Sequence, residues 1–113
     1  MKYYSTNAKA ELASLEEAVV KGLASDRGLF MPQQIKTLPA SFYEEMAGLS
    51  FQEISYRVAD AFFGEGIPAA TLKQIVYDTL CFDAPLMPVS ENIYSLELFH
   101  GPTLAFKDVG ARF

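Results

Sequence analysis

The sequence predicts a mixed α and β fold, a largely helical domain carrying a small sheet. Three observations predict it. Apolar residues recur at spacings of three and four in three separate stretches, the signature of a helix with one buried face. Ser-x-x-Glu patterns precede helical stretches three times, at Ser14, Ser41 and Ser50, and such a pair can satisfy two free N–H groups at a helix start. Two short aromatic and β-branched runs, at Tyr3–Thr6 and Ile93–Phe99, read as strands. Helices and strands are interspersed along 113 residues, room for one domain of ordinary size.

In order, Tyr3–Thr6 is the first strand. Ser14 caps a helix from 15 to about 24 whose buried stripe is Leu15, Val19 and Leu23. Ser25-Asp26-Arg27-Gly28 is a turn, with Asp26 bonding its own backbone and Gly28 supplying a positive φ. Leu29–Pro32 is short and extended, and 33–40 is loop. Ser41 opens a short helix that Gly48 ends. Ser50 opens a longer one, with Leu49 and Ile54 at the staple positions and Phe51, Ile54, Val58 and Phe62 as its buried stripe. Gly64-Glu65-Gly66 breaks it. Pro68 begins a helix that runs to about Phe82, with Leu72, Ile75, Val76 and Leu80 inward. Asp83-Ala84-Pro85 and Pro88 mark a linker, and Ile93–Phe99 is the best strand. Phe51 and Phe62 are read as core, Tyr43, Tyr56 and Tyr77 as amphipathic packing residues, and Cys81 as a small buried hydrophobe.

Composition excludes several classes. Half of the residues are hydrophobic, enough to offset the entropy of ordering, so disorder is not expected. Nine basic and fourteen acidic residues give a net charge of −5, a poor match to the phosphate backbone of nucleic acid. One cysteine forms no intrachain disulfide, and one histidine and one cysteine supply no soft metal site. No apolar run approaches the ~18 residues of a membrane span, and Met1-Lys2 leads into Tyr3-Tyr4-Ser5-Thr6-Asn7 rather than a signal core. The expectation is a cytoplasmic chain without membrane or nucleic-acid partners.

Chemistry concentrates in His100-Gly101-Pro102-Thr103-Leu104-Ala105-Phe106-Lys107-Asp108. Gly101-Pro102 forms a turn after a strand, Thr103 is an N-cap, and Lys107 then falls in the first turn or so of a helix. A helix N-terminus and the apolar neighbours Leu104, Ala105 and Phe106 both disfavour a cation there. They favour the neutral amine that Schiff-base chemistry needs; the alternative reading from the residues alone is a solvent-exposed lysine with no chemical role.

The segment HGPTLAFKD resembles the pyridoxal-phosphate lysine segment of the threonine synthase family. Tyr4-Ser5-Thr6 and Leu23–Pro32 resemble that family's opening strand and following segment, with Arg27 standing where the family often has glycine. The resemblance implies that Lys107 anchors pyridoxal 5'-phosphate as a Schiff base and serves as general acid–base. His100, Thr103, Phe106 and Asp108 take positioning roles. It implies a carbon–oxygen lyase that converts O-phosphohomoserine and water to threonine and phosphate. It also implies a boundary: residues 1–99 form the N-terminal domain, and 100–113 begin a three-layer α/β cofactor domain. No dense glycine cluster cradles a phosphate, and a helix begun near Thr103 is still running at Phe113. The chain is therefore expected to need the remainder of its own polypeptide, to be inactive alone, and to self-associate through exposed apolar residues such as Val109 and Phe113. Ser5, Thr6, Asp26 and Arg27 are the polar candidates for reaching the cleft from the N-terminal side, with a purely structural role for all four as the equal alternative. Two alternatives stand beside this reading: a related phospho-lyase for another phosphorylated amino acid, and a stand-alone, non-catalytic interaction domain.

Overall fold

The computed structural model describes residues 1–113. Strand β1 (Tyr3–Ser5) is followed by helix α1 (Leu15–Lys21), β2 (Phe30–Pro32), α2 (Ala40–Glu45) with a 3-10 turn at Met46–Gly48, α3 (Phe51–Phe63), α4 (Ala69–Thr79), β3 (Leu86–Ser90), β4 (Ile93–Leu96) and α5 (Asp108–Ala111). The expected mixture of helices and a little sheet is present, as two separate antiparallel pairs, β1–β2 and β3–β4.

Two of the three capping boxes form. Ser14 and Ser50 each accept the N–H of the glutamate three residues on, and each glutamate accepts the serine N–H in return. Those bonds hold the Glu17 and Glu53 carboxyls below the usual range. The Ser41 box does not form. Helix α2 starts two residues earlier, with Pro39 as its cap and no side-chain cap bond. That register turns Phe42 inward, where it is 3% exposed, and burial of an aromatic ring outweighs a cap.

The core is the seam between α3 and α4. Ala59, Leu72, Val76 and Leu80 meet there, flanked by Phe51, Tyr56, Phe63, Ile67 and Phe82. Leu72 and Val76 have no exposed surface. Three of the four residues read from the sequence as the inward stripe of α4, Leu72, Val76 and Leu80, are therefore buried, while Ile75 is only half-buried. The helix stops at Thr79, before the expected Phe82, because Leu80 leaves helical geometry at φ −103° and ψ 49°. Its carbonyl accepts a hydrogen bond from Gln52 Nε2 at 2.7 Å, so the buried residue that ends the helix keeps a paired acceptor.

The stripe expected on α3 is only half right. Ala59 and Ala61 are its buried residues, whereas Phe51, Ile54 and Phe62 are half-buried and Val58 is exposed. The small Ala59 lets α4 approach closely, and the contact face lies about 100° round from Val58. Phe51, Ile54, Val58 and Phe62 instead line an open apolar groove, closed at one end by Phe113 against Phe63. A similar correction applies to α1. Ala18 is its buried residue, Val19 and Leu23 are exposed, and Gly22 at φ 69° ends the helix before Leu23. Cys81, expected to be buried, is exposed.

The first sheet is fixed by polar bonds. Tyr3 exchanges backbone bonds with Ala13, both 2.9 Å, and its hydroxyl donates to the Phe62 carbonyl at 3.0 Å, tying β1 to α3. Ser5 is fully buried and donates to Asp26 Oδ1 at 2.5 Å. Asp26 also accepts the backbone N–H groups of Gly28 (3.0 Å) and Lys9 (2.9 Å). The positive φ expected at Gly28 belongs to Arg27, at 66°. Gly28 is required for a different reason: a Cβ there would overlap Ser5 Oγ and press on the Asn7 nitrogen. The Gly64-Glu65-Gly66 break is a turn, and Glu65 pairs with the N-terminal ammonium.

The second sheet departs furthest from expectation. Pro88, read as linker, lies inside β3 opposite Tyr94. In a two-stranded ribbon both strands are edges, so a proline with no N–H to donate is tolerated. The register shifts between Pro88 and Ser90, and Asn92 turns the chain at φ 60°. Strand β4 ends at Leu96 rather than Phe99, since β3 offers nothing further than a last bond from Glu97 N–H to the Pro85 carbonyl. Every residue of both strands is exposed.

Two outcomes follow from this packing. Leu72→Ala should cost about 2–5 kcal/mol of stability in urea titration, because it empties the centre of the seam; an unchanged midpoint would contradict the assignment. Asp26 is held at about 2, chiefly by the Ser5 hydroxyl, with desolvation opposing and the Gly28 and Lys9 N–H groups assisting. A lowered folded-state value means that its contribution is complete above its ordinary 3.8 and lost as pH falls through about 2. Thermal melts should show the chain losing more stability across that window than Asp26→Asn does.

Candidate functional site

The hairpin delivers the chain into the His100–Asp108 segment. His100 Nε2 lies 2.7 Å from Glu97 Oε2, and the Phe99 ring stacks on the imidazole with centroids 4.8 Å apart. Glu97 was missed from the sequence. An acid three residues before the histidine was the available signal, but its proximity depends on the strand ending at Leu96.

From Gly101 to Lys107 the backbone forms consecutive turns rather than the expected helix. The Gly101 carbonyl accepts Leu104 N–H at 3.0 Å, and Leu104 is left-handed at φ 58°. The Ala105 carbonyl accepts Asp108 N–H at 3.1 Å. Helix α5 begins at Asp108, and Lys107 is its N-cap residue. Thr103 is therefore not the cap. Its own N–H donates to Asp108 Oδ2 at 2.8 Å. Asp108 is 4% exposed and Gly101 is buried against it. A Cβ on Gly101 would stand 2.5 Å from both Cβ and Oδ2 of Asp108, so only glycine fits.

Lys107 itself is exposed, and its amine enters none of the ion pairs of the chain. The apolar enclosure expected around it does not form: Leu104 is 74% and Phe106 67% exposed. The arrangement is an accessible primary amine on a loop held from beneath by a buried carboxylate, a group able to attack a carbonyl carbon.

The four polar candidates of the N-terminal half do not join this segment. Ser5, Thr6 and Asp26 spend their bonds between the end of β1 and the 25–29 turn that leads into β2, Thr6 Oγ1 accepting Leu29 N–H at 2.9 Å, and Arg27 is exposed. No helix is long and apolar enough to cross a membrane.

The chain is thus an α+β unit whose last loop, before α5, presents a free lysine. Residues 2–80 match the family model described as the threonine synthase N terminus. Threonine synthase of Haemophilus influenzae is 43% identical over 113 residues, covering all of this chain and 26% of that protein. The crystal structure of threonine synthase from Escherichia coli superposes with a TM-score of 0.87 at 39% identity, over 96% of this chain and 25% of that one. The PLP-bound threonine synthase from Brucella melitensis gives a TM-score of 0.87 at 40% identity, with the same coverage. The chain belongs to the threonine synthase family, and it spans about a quarter of the length of these relatives.

Proposed function

We propose that this chain is the N-terminal part of a threonine synthase that converts O-phosphohomoserine and water to threonine and phosphate, with Lys107 as its cofactor lysine. The observation that carries the reading is the unpaired, accessible Lys107 amine within HGPTLAFKD, in a chain of this family. Residues 1–99 are then the N-terminal domain and 100–113 the start of the cofactor domain. The fully exposed β3–β4 hairpin supports that division, since a ribbon with no covered face is made to be packed upon.

The residues present fit one end of pyridoxal 5'-phosphate. A free primary amine suits its aldehyde, while the seven glycines are scattered and form no phosphate cradle. When bound, the cofactor supplies an electron sink for negative charge developing on the substrate. Lys107 Nζ holds the cofactor and, once released, takes a proton from one substrate carbon and returns it to another. Glu97 fixes the His100 ring through Nε2, which leaves Nδ1 for a further partner. Thr103 and Asp108 hold the loop through the bond from Thr103 N–H to Asp108 Oδ2.

The test is activity. The 113-residue chain alone should form no threonine from O-phosphohomoserine. A chimera in which it replaces the matching quarter of the Escherichia coli relative should be active, and Lys107→Ala in that chimera should lower kcat by at least about a hundredfold. Threonine formation by the chain alone, or an active Lys107→Ala chimera, would overturn the reading. The isolated chain should also self-associate in sedimentation through the α3 groove and the exposed hairpin; a strict monomer would count against those surfaces being made for burial.

A further inference from the structure

Asp108 is the one buried acid of the chain. Sequestering a carboxylate is costly unless hydrogen bonds return the lost hydration. Here the return is a backbone bond across five residues, Thr103 N–H to Oδ2. Three features converge on it. Gly101 has no side chain where the Asp108 carboxylate lies. Leu104 accepts a left-handed backbone, an unfavourable state for a branched residue that persists only when its surroundings impose it. Lys107 immediately precedes the acid and ends the loop that the acid closes.

We propose that Asp108 is the positioning residue for Lys107. Its buried carboxylate locks the Gly101–Lys107 loop and so fixes where the lysine amine is presented. The proposal rests on the reading of Lys107 as the cofactor lysine. The lock consists of one acceptor atom, one donor and one required glycine, and it acts through the backbone rather than on substrate. Asparagine can keep the acceptor and alanine cannot.

Two measurements test it. The first is hydrogen exchange at the Thr103 amide in the 113-residue chain. Asp108→Ala should speed exchange about tenfold or more while the α3 and α4 amides keep their protection, and Asp108→Asn should restore most of the slow exchange. Gly101→Ala should reproduce the alanine result, because its methyl displaces the carboxylate. The second is the visible absorbance of lysine-linked cofactor in the Escherichia coli chimera, read with kcat and KM. Asp108→Ala should lower the linked fraction and kcat together, with rescue by Asp108→Asn. Unchanged Thr103 exchange would overturn the lock. Faster exchange with an unchanged linked fraction would overturn its positioning role. Linked cofactor persisting in Lys107→Ala would instead refute the lysine assignment, and the exchange result would still report on the lock.

Discussion

The seam between α3 and α4 is the interaction on which the remainder depends. Leu72 and Val76 are sealed between the helices because α3 offers alanine at its contact face, so the backbones come close and the larger residues of α4 fill the space. Gln52 of α3 reinforces the pair by holding the carbonyl at which α4 ends, and Tyr3 ties the first sheet to it through the Phe62 carbonyl. The seam also explains the groove. Once Ala59 faces α4, Val58 and Phe62 turn aside and line that groove.

The candidate site follows the opposite logic. It has little apolar burial, and its order comes from backbone bonds and one enclosed carboxylate. That places acid and base on opposite sides of the same turn: Asp108 inward, Lys107 outward. A side chain meant for chemistry needs access, and a loop without a core needs some other source of rigidity. A buried hydrogen-bonded acid meets the second need without compromising the first.

What the sequence made legible was whatever local chemistry decides. The Ser14 and Ser50 caps, the inward face of α4 and the glycine turn at 64–66 are all set within a few residues. Val19 and Phe62 were misplaced because periodicity gives the apolar face of a helix but not the partner it meets. Ser41 lost its cap to the burial of Phe42, a tertiary effect. Pro88 was misread because a proline forbids a central strand but not an exposed ribbon, and the ribbon became visible only with its partner. At the site, Lys107 stood out by motif, while Thr103 and Glu97 acquired their places from a helix that starts late and a strand that ends early. The left-handed residues Arg27 and Leu104 gave no sequence signal, since neither side chain favours that conformation.

The central claim is that Lys107 carries the cofactor, and peptide mapping after borohydride reduction tests it most directly. The active chimera would be loaded with pyridoxal 5'-phosphate, reduced, digested and analysed by mass spectrometry. The account predicts the reduced pyridoxyl group on the peptide containing Phe106-Lys107-Asp108. A pyridoxyl group fixed specifically on another lysine, with Lys107 unmodified, would contradict it.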